Sequence, residues 1–197
     1  FSSSNASATL PAEYTFTEGD AGTHTFENAA SFLIAGASTI EATDRDDETI
    51  SGEVSLTVQP LAASRLELTG LTDPSEAGAV HSITVTARDV NGNVATGYVG
   101  TIAFTSNDQH ATLPAEYTFT AEDLGVHAFA ASVTLRTAGT GTVFVKDNPH
   151  ESISGEASIT VNPSGAAALQ VTGVGDPKAG VGGSITVTAR DASGNVA

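Results

Sequence analysis

The 197-residue sequence contains no cysteine, no methionine and no tryptophan. Without cysteine the fold has neither disulfide bonds nor thiolate metal sites. Lysine and arginine together number only 7 against 23 acidic residues, which gives a formal net charge of −16. Nucleic acid and anionic membrane surfaces need basic patches, so we expect neither as a partner. No apolar run approaches the about 20 residues that cross a bilayer, so we expect no membrane insertion of this segment.

The sequence begins at Phe1 with neither an initiator methionine nor the charged and apolar regions of a signal peptide. We therefore predict that it is an interior segment of a longer protein. The composition, with 40% hydrophobic and 15% charged residues, is typical of a globular domain rather than of a disordered chain. Abundant glycine, threonine, valine and serine favour strands joined by turns.

A ten-residue stretch, Ala-Thr-Leu-Pro-Ala-Glu-Tyr-Thr-Phe-Thr, occurs at 8–17 and again unchanged at 111–120. It belongs to a tandem repeat with a period of about 100 residues. About half of the positions are identical when 1–60 is laid over 104–163. We predict three units, listed in chain order: the C-terminal part of a repeat (1–60), a complete repeat (61–163) and the N-terminal part of another (164–197).

The complete repeat shows the period-two alternation of half-buried strands. We predict seven strands, A to G, carried by these residues: Leu66 and Leu68; Ile83, Val85 and Ala87; Ile102 and Phe104; Tyr117 and Phe119; Phe129, Val133 and Leu135; Val143 and Val145; Ala157, Ile159 and Val161. Seven short strands with turn signals between them predict an all-β fold of immunoglobulin-like seven-stranded β-sandwich modules in tandem. The short linkers at 58–65 and 161–168, each with one proline, should restrain neighbouring modules into a rod.

Several segments resemble the bacterial immunoglobulin-like repeats of invasin- and intimin-type surface proteins. They are Ile-Thr-Val-Thr-Ala-Arg-Asp-Val-Asn-Gly-Asn (83–93), Gly-Thr-Ile-Ala-Phe-Thr (100–105), the Ala-Gly turn (138–139) and Ser-Gly-Glu-Ala-Ser-Ile-Thr-Val (154–161). The sequence departs from that pattern after the turn, where many such repeats carry a tyrosine and this one has Gly141. The resemblance implies an extracellular stalk that holds a binding tip away from the cell.

Each copy of the ten-residue stretch is followed by the pattern Asp-x-Gly-x-His, at 20–24 and at 123–127. A histidine beside a carboxylate suggests a catalytic or metal site, but zinc needs three or four ligands and each copy has one histidine. We favour a turn between strands D and E, in which Asp binds backbone amides and Gly supplies a positive φ.

In an immunoglobulin-like sandwich the B–C, D–E and F–G loops gather at one end, which in a tandem array meets the preceding module. Their oxygen-bearing side chains make Ca²⁺ a possible cofactor at the junction. The candidate ligands are Asp89, Asn91, Asn93, Asp123, Asp147 and Glu151. The alternatives are a solvated acidic end and, for the Asn91-Gly92 pair, an ordinary hairpin turn.

The sequence contains no Gly-x-Ser-x-Gly, Walker or His-Glu-x-x-His motif, so we assign no catalytic residue and expect no enzyme. We predict a structural spacer or stalk in a large secreted or cell-surface bacterial protein, an adhesin, with the neighbouring repeats as partners and host protein or glycan bound through other domains. The alternatives are a glycan- or protein-binding module and an accessory module of a secreted hydrolase. Because 1–60 lacks strands A and B and 164–197 supplies them, a neighbouring chain could pair the two pieces into an open assembly.

Overall fold

The computed structural model describes residues 1–148, 150–173, 175 and 178–197. These residues form short 3-10 turns at Glu18–Asp20 and Ala121–Asp123 and thirteen strands. In chain order the strands are β1 (Ser2–Ser3), β2 (Gly36–Thr43), β3 (Ser51–Val58), β4 (Arg65–Thr69), β5 (Ser75–Glu76), β6 (Val80–Arg88), β7 (Thr101–Ser106), β8 (Tyr117–Thr118), β9 (Val126–Thr134), β10 (Gly139–Asp147), β11 (Ser154–Asn162), β12 (Ala168–Thr172) and β13 (Thr186–Arg190). Nowhere in the described part is there a helix with the length and apolarity to span a membrane.

The central unit, 61–162, is built from two sheets. Strands β4, β6 and β9 form a three-stranded antiparallel sheet, with β6 in the middle. The other sheet has five strands in the order β5-β11-β10-β7-β8, and only its β5–β11 pair is parallel. Side chains of both sheets meet in one hydrophobic core. The chain is therefore all-β, as predicted, and this unit is a β-sandwich.

Alternation along the strands places the core residues. On β6, Ile83 and Val85 are almost completely buried, and on the opposing β10 Val143 and Val145 are buried too. Each such side chain removes apolar surface from water, which is worth about 1.5–3 kcal/mol for a fully buried Val, Leu or Ile. Phe144, between the two buried valines, points outward as its position in the alternation requires and is 38% exposed.

Gly141 marks the departure from the resembled repeats, and its neighbours show how that space is filled. A Cβ atom at Gly141 would stand 2.6 Å from the Cδ1 atom of Leu135. Leu135 is 2% exposed, so it occupies the space that a larger side chain after the turn would need. Leu135, from the preceding segment, therefore fills the core next to Gly141.

Several predicted strands differ in detail from the observed ones. Predicted strand D is reduced to β8, which pairs with β7 at the edge of the five-stranded sheet, and Phe119 lies beyond it although it is 2% exposed. Leu135 is likewise buried but follows the end of β9. Strand β5, which pairs with β11, was not predicted, because a strand of two residues is too short to show the alternation of buried and exposed residues.

The flanking units hold fewer strands. In the N-terminal unit (1–58) β1, β2 and β3 form one antiparallel sheet. Its residues 23–31, the counterpart of β9, form no strand and make only the isolated bridge between Thr9 and Ser31. In the C-terminal unit (164–197) β12 and β13 form a two-stranded antiparallel sheet. Each sheet lies within one of the three predicted units, whose boundaries remain a prediction.

Candidate functional site

The junction between the N-terminal and central units is organised by Asp89, which directly follows β6. Its side chain is 0% exposed, and each of its oxygens accepts two hydrogen bonds. Oδ1 accepts from the N–H groups of Asn91 (2.9 Å) and Asn93 (2.8 Å). Oδ2 accepts from the N–H of Leu61 in the linker (3.0 Å) and from the side-chain amide of Asn93 (2.9 Å). Asp89 therefore ties the linker to the loop that follows β6.

These donors also decide the charge state of the carboxylate. Burial alone raises the pKa of Asp89, but the side-chain amide of Asn93 and the N–H groups around it outweigh burial and hold the pKa below its ordinary value. Asp89 is thus an anion at neutral pH whose lone pairs face N–H donors.

Asn93, held by Asp89, reaches across to the preceding unit. Its Nδ2 donates to the carbonyl oxygen of Leu33 at 2.8 Å, and its Oδ1 accepts from the N–H of Ala35 at 2.9 Å. Leu33 and Ala35 lie in the turn before β2. The Asn93 side chain therefore pairs with one carbonyl and one N–H group of that turn. Together the two bonds fix both the distance and the orientation of the turn relative to the loop that follows β6.

The second junction repeats this arrangement atom for atom. The Asp191 carboxylate accepts from the N–H groups of Ser193 and Asn195 through Oδ1, and from Ser164 and the Asn195 amide through Oδ2. Asn195 then donates to the carbonyl oxygen of Arg136 at 2.8 Å and accepts from the N–H of Ala138 at 2.9 Å. We call each arrangement a joint clamp: Asp89 with Asn93, and Asp191 with Asn195.

Asp147, at the end of β10, forms a separate network. Its side chain is 1% exposed. Oδ2 accepts the hydroxyl of Tyr98 at 2.6 Å, and Oδ1 accepts the N–H of His150 at 3.0 Å. Burial, and then the bond to this carboxylate, raise the pKa of Tyr98 far above its ordinary value. Tyr98, which has no role in the strand pattern, is itself 8% exposed and belongs to the core.

The Asp-x-Gly-x-His pattern forms the turn that we favoured. The Oδ2 of Asp123 accepts both the N–H (2.7 Å) and the hydroxyl (2.9 Å) of Thr120, while its oxygens also accept the Tyr117 hydroxyl. His127 Nδ1 lies 2.8 Å from Oδ1, and its ring stacks on that of Tyr117 at 3.7 Å between centroids. Hydrogen bonds from the Thr120 N–H and His127 lead in lowering the pKa of Asp123 to about 2. Gly125 takes the positive φ of 78° that the turn needs.

The N-terminal copy builds the same turn without a complete sandwich around it. Asp20 accepts from Thr17 and Tyr14, and His24 stacks on Tyr14 at 3.8 Å between centroids. The turn is therefore encoded locally, which agrees with the structural interpretation of the pattern.

The structure divides the six calcium candidates among several networks. Asp89, Asn91 and Asn93 share one loop. Asp147 accepts the hydroxyl of Tyr98, and Asp123 is bound by Thr120 and His127 within its own turn. Glu151 pairs with Lys146 at 2.7 Å. Among the described residues no group of three or more His, Cys, Asp or Glu side chains has the spacing to hold a metal ion. Calcium binding at this end remains a prediction that this geometry does not strengthen.

The sequence pointed to the right loop but not to the contacts that this loop makes with the preceding unit. Asn93 and Asn195 follow Gly in both copies, and this repetition was a usable signal. Their partners, however, are backbone groups of another unit, which carry no side-chain signature.

Comparisons with known proteins give no family. No protein-family model matches the chain, and no curated protein matches it. Among solved structures, a β-glucuronidase of Parabacteroides merdae superposes with a TM-score of 0.40 and 14% identity, covering 65% of this chain and 16% of that chain. Domains 4–9 of the surface layer protein SbsC superpose with a TM-score of 0.37 and 16% identity, covering 86% of this chain and 26% of that chain. At these scores neither similarity carries an argument about function.

Proposed function

We propose that the chain is a run of tandem immunoglobulin-like modules, each with the seven predicted strands to which the central unit adds the two-residue β5, and that it acts as a spacer or stalk in a secreted or cell-surface bacterial protein, an adhesin. The observation that carries this proposal is the repeated joint clamp. A spacer has to hold each module at a fixed angle to the next. A side chain that binds the backbone of the neighbouring unit at two points restrains that angle. We assign no catalysis to this segment, and its immediate partners are the neighbouring repeats.

The geometry of the central unit supports a linear array. Strands β6 and β9 are antiparallel, with Val80 beside Thr134 and Thr86 beside Val126. Asn93 follows the C-terminal end of β6, whereas Arg136 follows the C-terminal end of β9. The two joint clamps therefore lie at opposite ends of the central sandwich, as an elongated stalk requires.

The buried acids support a structural role over a catalytic one. The carboxylates of Asp89, Asp108 and Asp147 are each less than 9% exposed, and each accepts hydrogen bonds from the chain itself. An acid of a hydrolase has to face its substrate instead.

A glycan- or protein-binding module would be marked by exposed aromatic side chains in its loops, and Tyr98 and Phe144 are the two aromatic residues to which the strand pattern gives no role in the core. Tyr98 is buried, so of these two only Phe144 faces solvent. Selective binding of the central unit on a glycan array would favour that alternative over the spacer.

The proposal is tested by the stiffness of the joints. We expect the Asn93→Ala/Asn195→Ala double variant to widen the distribution of distances between spin labels placed on the N-terminal and C-terminal units. The matched control is Asn91→Ala/Ser193→Ala, which alters the same two loops at residues that enter the network through their N–H groups. Equal distributions for both variants and the unaltered chain would count against the spacer role.

A further inference from the structure

The turn that receives each joint clamp is also held from its other side. We call it the receiving turn: 33–35 in the N-terminal unit and 136–138 in the central unit. In the central unit the holding group is the carboxylate of Asp108, which is 6% exposed. Its Oδ2 accepts the N–H groups of Arg136 (2.6 Å) and Thr137 (3.0 Å), and its Oδ1 accepts the Thr137 hydroxyl at 2.6 Å. This receiving turn therefore has Asp108 on one side and the joint clamp of the C-terminal unit on the other.

The N-terminal unit holds its receiving turn with different residues. The Ser7 hydroxyl oxygen accepts the N–H groups of Leu33 (2.8 Å) and Ile34 (2.9 Å), which are equivalent to the two N–H groups that the carboxylate holds in the central unit. The Ser7 hydroxyl donates in turn to Oδ1 of Asn5 at 2.7 Å, and Asn5 Nδ2 donates to the carbonyl oxygen of Ile34 at 2.9 Å. Asn5 is the counterpart of Asp108, so a serine and an asparagine together hold this turn where the central unit uses one carboxylate.

The plane of a peptide connects the two sides of the receiving turn. In a trans peptide the C=O and N–H groups point in opposite directions. The peptide that joins Arg136 to Thr137 donates its N–H to Asp108, and its carbonyl accepts from the joint clamp. Because the carboxylate binds the N–H, the carbonyl oxygen is turned toward the following unit, where the joint clamp binds it.

The N-terminal unit uses two consecutive peptides in this way. The peptide that joins Leu33 to Ile34 donates its N–H to Ser7, and its carbonyl accepts from the joint clamp. The next peptide accepts from Asn5 through the Ile34 carbonyl and donates its N–H to the joint clamp. Each of these peptides thus has one group bound within its own unit and one group bound by the following unit.

The joint clamp recognises the backbone of the receiving turn. Leu33 and Ile34 are 57% and 50% exposed, and their counterparts Arg136 and Thr137 differ from them in charge and polarity. Both turns nevertheless present the same carbonyl at 2.8 Å and the same N–H at 2.9 Å to their clamps. The group that prepares the turn for this contact is therefore the acceptor behind it.

We propose that Asp108 in the central unit, and Ser7 with Asn5 in the N-terminal unit, are the positioning residues of the two joints. They fix the peptide planes of the receiving turn so that it fits the joint clamp of the following unit. Loss of the acceptor leaves two N–H groups of the turn unpaired, and their peptides turn toward other partners. The recognition requirement of a joint thus lies behind the turn and not in the side chains on it. This inference rests on the joint role that the proposed function gives to the clamps.

The test measures each joint separately in the whole chain, which has no cysteine and takes spin labels at introduced ones. Glu156→Cys with Thr172→Cys spans the second joint, between the central and C-terminal units, and Glu53→Cys with Glu156→Cys spans the first. All three labelled residues are exposed. We expect Asp108→Asn to widen the distance distribution across the second joint as much as Asn195→Ala does, and to leave the first joint unchanged.

A second substitution should rescue this variant. Asn5 shows that an amide at this position works with the hydroxyl of Ser7, and the residue equivalent to Ser7 is the exposed His110. Asp108→Asn/His110→Ser installs the N-terminal set in the central unit, so we expect it to restore the narrow distribution. His110→Ser alone should match the unaltered chain. A merely structural role of Asp108 predicts no such rescue, and a double variant as wide as Asp108→Asn overturns the inference.

The first joint provides the reciprocal test. Ser7→Ala should widen the distribution across the first joint and leave the second unchanged. The control is Leu33→Arg/Ile34→Thr, which gives the first receiving turn the side chains of the second and should leave both joints unchanged. A narrow first joint in Ser7→Ala, or a wider one from the exchanged side chains alone, overturns the inference.

Failure of this inference can be told apart from failure of the proposed function. If Asn195→Ala widens the second joint and Asp108→Asn does not, the positioning role is wrong while the spacer proposal stands. If Asn195→Ala also leaves the second joint unchanged, both are wrong.

Discussion

Tyr98 donates its hydroxyl to the carboxylate of Asp147 across 2.6 Å, and the two side chains are both buried although 49 positions separate them in the sequence. The bond ties the loop after β6 to the end of β10, and so joins the two sheets at the end of the sandwich that faces the preceding unit. A buried carboxylate that loses a donor bears the full desolvation penalty of the unmade bond.

We therefore expect Tyr98→Phe to lower the free energy of unfolding of the central unit by about 1–3 kcal/mol. Urea unfolding at neutral pH measures this loss. Tyr117→Phe is the control, because its hydroxyl binds an Asp123 that keeps donors from Thr120 and His127. A larger loss for Tyr117→Phe than for Tyr98→Phe would contradict the importance of the buried pair.

A methyl group at Gly155 would overlap the carbonyl oxygen of Leu66 in β4, so we expect Gly155→Ala to destabilise the central unit by about 1–3 kcal/mol, the usual cost of overpacking. Gly52 is the counterpart of Gly155 in the N-terminal unit, and a Cβ there would meet nothing within 4 Å. Thermal unfolding of Gly155→Ala and of Gly52→Ala therefore gives the comparison within one chain. The second substitution should leave the main transition in place. If both lower it equally, the close approach of β4 to β11 is not what requires glycine.

Asp108 makes the stability of the central unit sensitive to acid. Burial raises its pKa, but hydrogen bonds from the side chain and N–H of Thr137 and from two further N–H groups lower it to about 2, against an ordinary value of 3.8. Because the folded pKa is the lower one, its contribution is complete above about pH 4 and is lost as the pH falls toward 2.

The substitution Asp108→Asn tests this, and the N-terminal unit already has Asn5 at the equivalent position. We expect a lower urea midpoint at pH 7 but a shallower decline between pH 4 and pH 2 than in the unaltered chain. Parallel declines would show that other carboxylates carry the acid sensitivity.

The calcium hypothesis can be tested by following the melting temperature at millimolar Ca²⁺. We expect no rise, because the Asp89 carboxylate already accepts four hydrogen bonds and the other candidates lie in separate networks. Mg²⁺ at equal ionic strength controls for screening. A calcium-specific rise that Glu151→Gln abolishes would restore the hypothesis.

Local pattern was enough to predict the all-β class and the position of the main strands of the central unit. Strand β6 could be predicted because the buried apolar residues Ile83, Val85 and Ala87 alternate with polar ones. The turn at Asp123 could be predicted because its partners, Tyr117, Thr120 and His127, lie within six residues. Residues 23–31 show the limit: they have the sequence of a strand but no ladder, since the pairing that makes β9 a strand comes from β6, a distant segment.

The same limit applies to the candidate site. Asp89 and Asn93 were expected at the junction, yet as cation ligands. In the structure the Asp89 carboxylate binds the N–H of Leu61 in the linker, and the Asn93 amide binds a turn of the preceding unit. No property of the residues at 33–35 marks their backbone for this contact, so only the assembled units show it.

Each joint clamp contacts the preceding unit through two hydrogen bonds of one side chain, whereas the central sandwich is held by whole strand ladders and a core. Force applied to the two ends of the chain passes through both joints and the central sandwich in series. We expect the two joint clamps to open under this force before the central sandwich unfolds. When the force is removed, each asparagine side chain can bind its two backbone partners again, so we expect the lengthening to be reversible.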